Sequence, residues 1–315
     1  MENKNSILFD ETGRLRSGWR VGIFLFAFIF FAIVLGSLGQ IMIRMLAIDA
    51  VPGSPVFMVS NAILSLIPAL FVGWMCGKLL EKLPFRALGA AFTRGWLKHF
   101  AVGLALGMAT LGIAVFIAYV FGGMRFEFNT SDTTIAILGS LASAFVVFAA
   151  ASAFEEILFR GYVLQTLSRS GLAWLAILLT SVFFGAVHFG NPDAGLISTA
   201  NTILAGLWFS VAYLKTRDLW FAWGLHLMWN FAQGAVFGIE VSGLTALVKA
   251  PLLKEIDTGP HWLTGTTYGV EGGIVCTIAL VVSIAAIWFL PILKPDPELL
   301  SMTSPTTSLS PTTDH

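Results

Sequence analysis

The sequence predicts an all-α, polytopic membrane bundle of about eight transmembrane helices, with both termini on the cytoplasmic side. Three observations predict it. Of the 315 residues, 57% are hydrophobic and only 11% charged, a composition outside the range of soluble domains and typical of chains whose solvent is lipid. The charges sit at the edges of long charge-free intervals, each close to the roughly 20 residues a helix needs to cross the hydrocarbon. Basic residues gather on one side of the alternation that those intervals define. Equal totals of 18 basic and 18 acidic residues leave no net field to draw in nucleic acid, so nucleic acid is not an expected partner. The two cysteines, Cys76 and Cys276, each lie in or beside an apolar run and do not make a disulfide framework.

Taken in order, the intervals run from Arg20 to Arg44, Asp49 to Lys78, Lys98 to Arg125, Asp132 to Glu155, Arg169 to Asp193, Asp193 to Lys215, Asp218 to Glu240 and Glu271 to Lys294. Helices are expected because lipid offers the backbone no hydrogen-bond partner and the intervals lack the alternation of barrel strands. Residues 1–20 form a polar N-terminal segment, 21–293 the membrane domain, and 294–315 a Pro-, Ser- and Thr-rich tail expected to be disordered. No cleavage signal follows the first apolar run, which reads as a retained span. With the N-terminus inside, only Arg44, Arg125, Lys249 and Lys254 of the 18 basic residues fall outside. The basic stretch from Lys78 to Lys98 is either an ordinary cytoplasmic loop or a short helix lying on headgroups.

From Asp132 to Arg169 a single helix would reach about 50 Å, too long for a simple span, so it bends or projects. A turn over Ser168 to Gly171 sends the chain back antiparallel, which puts Glu155 and His188 at about the same distance, roughly 20 to 25 Å, from the hairpin tip. His226, eight residues past Asp218, falls at a similar depth. The segment from Glu240 to Glu271 is long, apolar and rich in Gly and Thr, as expected of a partly re-entrant lid.

Ionisable residues are costly at membrane depth and mark sites there. Glu155, Glu156 and Arg160 stand in AFEEILFRGY, His188 in SVFFGAVHFGNP, and His226 with Asn230 in FAWGLHLMWNF. Glu156 and Arg160, one turn apart, can pair, which leaves Glu155 among Ile, Leu and Phe as a general base that takes a proton from water and returns it to a leaving amine. His226 and Asn230 share a helix face, and with His188 they can polarise a carbonyl, or with Glu155 hold a metal such as zinc. Each cluster alone has a plainer reading: a solvated ion pair for the first, interhelical hydrogen bonding for the others. Their convergence at one depth, in spans otherwise almost free of ionisable groups, favours one shared site.

These residues resemble the signature of the CPBP family: the type II CAAX prenyl endopeptidases and their bacterial relatives, the Abi or lysostaphin-resistance-protein-A-like membrane proteases. Its EExxxR, FxxxH and HxxxN motifs stand as Glu155, Glu156 and Arg160, then Phe184 and His188, then His226 and Asn230, in order and within about residues 135–240. HFGNP from His188, AGLWFSVAYLKTRDLW and the GVEGG loop extend the likeness. The resemblance implies a bacterial inner-membrane endopeptidase with a cavity opening toward the cytoplasm. Glu155 would activate water, His188, His226 and Asn230 would be polarising or metal-binding partners, and Glu156 with Arg160 would support the site. Its substrate would be a peptide or a membrane protein. Members are described both as metalloproteases, in which Glu155, His188 and His226 would hold zinc, and as glutamate proteases. A proton-coupled transporter would be expected to show paired broken helices in related halves, which are absent from the sequence, and a non-catalytic scaffold would keep the pocket without the chemistry.

Overall fold

The computed structural model describes residues 7–10, 13–46, 48, 50–244, 247–289, 291 and 293–305. Helices dominate. The chain runs through α1 (Ser17–Met45), α2 (Pro55–Glu81), a 3₁₀ turn (Phe85–Leu88), α3 (Trp96–Phe121), β1 (Met124–Phe128) and α4 (Thr134–Glu156). A π-helical segment (Ile157–Leu164) leads into α5 (Gln165–Arg169), followed by α6 (Ala173–His188), α7 (Leu196–Thr216), α8 (Leu219–Phe231) and a second π segment (Ala232–Val236). After β2 (Leu253–Asp257), α9 (His261–Thr264) and 3₁₀ turns at Thr266–Tyr268 and Val270–Gly272 come α10 (Ile274–Phe289) and α11 (Pro297–Thr303).

Each of the eight charge-free intervals holds a helix. Among the described residues five are long and apolar enough to cross a membrane: Ser17–Met45, Pro55–Glu81, Trp96–Phe121, the continuous run Thr134–Arg169, and Leu196–Thr216. Local chemistry sets several starts. Ser54 Oγ accepts the Phe57 N–H, Thr133 Oγ1 that of Ala136, and Asp218 Oδ1 that of Trp220, each capping a helix whose first N–H groups lack partners.

The all-α expectation needs one correction. β1 and β2 pair antiparallel, from Met124 opposite Asp257 to Phe128 opposite Leu253, in a small sheet outside the helices. β1 alternates apolar Met124, Phe126 and Phe128 with charged Arg125 and Glu127, a period-two pattern too short to stand out beside the apolar run before it, and β2 (Leu-Lys-Glu-Ile-Asp) does not alternate at all. The tail differs too: Pro297–Thr303 is helical, with Leu299 and Thr303 buried, because Asp296 caps its first N–H groups. Residues 1–6 of the N-terminal segment and 306–315 of the tail lie outside the described residues.

Close backbone approach holds the bundle together. A Cβ on Gly103 of α3 would lie 2.5 Å from the Phe221 carbonyl oxygen, and one on Gly224 of α8 would lie 2.5 Å from that of Phe100. Small residues on both helices thus let α3 and α8 meet backbone to backbone, as membrane helices do when no hydrophobic driving force separates them from lipid. Thr110 and Trp208 both donate to Ser283 Oγ, at 2.8 and 2.9 Å, tying α3 and α7 to α10. At the end of the bundle bearing the Ser168–Gly171 turn, Glu81 pairs with Arg20 at 3.1 Å and with Arg169, and His99 meets Asp218 at 2.5 Å.

Candidate active site

Glu155 and Glu156 end α4, and the π segment begins at the next residue. Consecutive helix positions point about 100° apart, so the two carboxylates face different surroundings. Glu156 is turned inward, its side chain 1% exposed, and Oε1 accepts from Arg160 Nη1 at 3.2 Å and from His226 Nδ1–H at 2.9 Å. Arg160 is fully buried, donates to the Gly206 carbonyl at 3.0 Å, and lies over the rings of Phe184 and Phe209. The expected ion pair one turn apart is present, and its second task is to hold an imidazole.

Glu155 keeps 24% side-chain exposure and reaches toward the other nitrogen of the same ring, with Oε2 3.8 Å from His226 Nε2. That spacing exceeds a direct hydrogen bond. Oε2 is buried and has no hydrogen-bond partner among the described residues. A desolvated acceptor without a partner is expensive and marks a place for a donor, whether water or substrate.

His188 is the last residue of α6, and its Nδ1–H donates to the Phe184 carbonyl at 2.7 Å. The Phe184 ring lies between the histidines, 4.6 Å from His188 and 5.9 Å from His226 by centroids, and Phe209 stacks on His226 at 4.4 Å. Each Nδ1–H is therefore committed to an acceptor, which in the neutral ring leaves Nε2 with its lone pair free. Glu155, His188, His226 and Asn230 all line one cavity of about 480 Å³, open mouth included, together with Phe184, Phe209, Trp208 and Trp229. Both imidazoles face this cavity.

Four further polar residues reach this cavity: Asn201, Thr202, Ser242 and Glu271. The sequence contained one signal for them, a lone carboxylate in the glycine-rich GVEGG stretch of the segment expected to form a lid. The fit to a metal is partial. Both histidines present Nε2 with Nδ1 held by an acceptor, as ligating imidazoles do. Yet among the described residues no group of three or more His, Cys, Asp or Glu stands close enough to hold a metal ion.

Residues 137–232, which contain all three motifs, match the family model described as type II CAAX prenyl endopeptidase Rce1-like. Over that stretch the chain is similar to the Rce1-like family. The match supports the likeness to the CPBP membrane proteases. The matched stretch takes in most of α4, the motif-bearing α6 and α8, and α7 between them, and it stops at the start of the second π segment. No curated protein matches the chain.

Proposed function

We propose that this Rce1-like chain is an intramembrane endopeptidase in which Glu155 activates the water that attacks a peptide carbonyl. The observation that carries the reading is the orphaned Glu155 Oε2, buried on a cavity that it shares with His188, His226 and Asn230. A water placed between Glu155 Oε2 and His226 Nε2 is within bridging reach of both. Glu155 takes one proton from that water as its oxygen bonds to the carbonyl carbon. The carbonyl oxygen becomes an oxyanion, for which Asn230 Nδ2 is a donor and His188 a second once its Nε2 is protonated. Collapse of the tetrahedral species breaks the C–N bond, and Glu155 passes its proton to the departing amine. Glu156 and Arg160 hold His226 in register with Glu155.

No step here passes through a metal. A zinc ion on Glu155, His188 and His226 is the competing proposal, and it requires those side chains to converge further than they do. Orientation follows from the basic residues: both termini cytoplasmic, eight helices in the membrane, and Glu155 about 20 Å along the helix from the Ser168 turn, within the lipid layer on the cytoplasmic side of the bundle. A bacterial inner membrane is the proposed location, and a peptide or membrane protein the proposed substrate. The test is Glu155→Gln in a cell that reports release of a new peptide terminus. Loss of that terminus at unchanged membrane insertion supports hydrolysis, whereas a scaffold would keep its phenotype.

A further inference from the structure

Glu271 stands on the cavity wall with no part in the chemistry above. Its carboxylate is held by three donors. Oε1 accepts Trp229 Nε1–H at 3.0 Å, and Oε2 accepts both the N–H and the Oγ–H of Ser242 at 2.7 Å. The Glu271 carbonyl accepts from Asn201 Nδ2 at 2.8 Å, and the same amide nitrogen donates to the Gly273 carbonyl at 2.8 Å. One residue thus joins the end of α8, the turn at Ser242, the first half of α7 and the approach to α10. The turn is pinned from its other side. Asn191, three residues past His188, donates to the Ser242 carbonyl at 3.1 Å, and Gly243 N–H donates to the Tyr268 carbonyl at 3.1 Å. Gly243 has φ +76°, and a Cβ there would stand 2.1 Å from the Pro192 oxygen, so the contact is backbone on backbone.

Donors aimed at an ionised carboxylate make shorter and stronger bonds than neutral pairs, and in a site shielded from water they hold geometry stiffly. The joint reaches both sides of the reaction: Trp229 precedes Asn230 on α8, and Asn191 follows His188. We propose that Glu271 is a positioning residue that sets where Asn230 and His188 stand relative to Glu155 by clamping Trp229 and the Ser242 turn together. The kinetic consequence rests on the protease reading; the clamp itself does not.

Glu271→Gln turns one acceptor into a donor facing donors. On a cleaved reporter peptide, kcat is expected to fall about 10- to 100-fold with KM within about twofold, the pattern of misplaced catalytic groups and not of lost substrate contact. Amide hydrogen exchange over residues 240–244 should rise, and Glu271→Asp, which keeps the charge, should recover part of kcat. Trp229→Phe removes only the Oε1 bond and should lower kcat while exchange at the Ser242 turn stays as in the unaltered protein. Should Glu271→Gln fail to fold, Trp229→Phe and Ser242→Ala carry the test. Wild-type kcat in these variants, with or without faster exchange, overturns the positioning role. If the unaltered protein cleaves no reporter, the protease reading fails, and exchange alone then judges the clamp: unchanged protection at 240–244 in Glu271→Gln rejects it.

Discussion

Glu156 holds His226 by one ring nitrogen, Oε1 to Nδ1 at 2.9 Å, while the preceding residue faces the other nitrogen at 3.8 Å. Two carboxylates adjacent in sequence therefore border the same imidazole on two edges, one as a fixed acceptor and one across a gap of about a water's reach. Their unequal surroundings separate their roles. Glu156 lies beside a buried guanidinium, and Glu155 opens to the cavity.

Substitution should separate the two. Glu155→Gln is expected to abolish cleavage while leaving thermal stability nearly unchanged, since no hydrogen bond to its Oε2 is lost. Glu156→Gln should instead cost stability as well as turnover: it leaves the buried Arg160 charge without its partner, at a cost of about 3–5 kcal/mol, and it loosens the hold on the His226 ring. Melting temperature and turnover measured on both variants check this. Equal loss of stability in the two would contradict the division of roles.

Close approach of α3 and α8 supplies a second expectation. Gly103→Ala puts a methyl 2.5 Å from the Phe221 carbonyl oxygen, a backbone atom that cannot swing aside, so the helices must part and carry His226 away from Glu156. The expected cost is about 1–3 kcal/mol with strongly reduced turnover. Gly112→Ala on the same helix meets nothing within 4 Å and should be neutral or slightly stabilising. Comparing the pair by melting temperature and turnover removes helix propensity from the result.

Much of this site was legible before the fold. Glu155, Glu156, Arg160, His188, His226 and Asn230 stood out because ionisable groups are rare in such apolar runs, and the hairpin count put Glu155 and His188 level. The Glu156–Arg160 pair came from spacing alone. The π segments did not, since Ile157–Leu164 and Ala232–Val236 carry no residue pattern that distinguishes them from ordinary helix. The first begins inside a motif, between Glu156 and Arg160, and the second just past one, after Asn230, where an extra residue in the turn re-aims the side chains beyond it. The link from Glu156 to His226 spans 70 residues, and no local spacing encodes it. The clamp at Glu271 was half visible, as a carboxylate in a glycine-rich segment whose donors, Trp229 and Ser242, come from two other parts of the chain.

The metal proposal has its own measurement. If Glu155 activates water unaided, cleavage by protein purified through exhaustive chelation should persist, and adding zinc back should not raise it by as much as twofold or so. Activity that vanishes with the chelator and returns with zinc would show that Glu155, His188 and His226 converge on an ion, and the glutamate mechanism would be withdrawn.

The sheet outside the helices should respond to pH. Glu255 on β2 is pushed from an ordinary 4.5 up to about 8, first by burial and then by the neighbouring charges of Glu240 and Asp257. The folded protein therefore holds this proton more tightly than the unfolded chain does. Below about pH 4.5 both forms carry it, and its contribution to stability is fully present. As pH rises the unfolded chain releases the proton first, so the contribution shrinks through the neutral range and is gone once the folded form ionises near 8. Melting temperature should fall between pH 5 and pH 8 by more in the unaltered protein than in Glu255→Gln, which mimics the protonated state throughout. Amide exchange at Phe126, the residue opposite Glu255 in the ladder, should quicken over the same interval if ionisation loosens the pair. Parallel melting curves for the two proteins would show that burial and the neighbouring carboxylates do not raise Glu255 in this way.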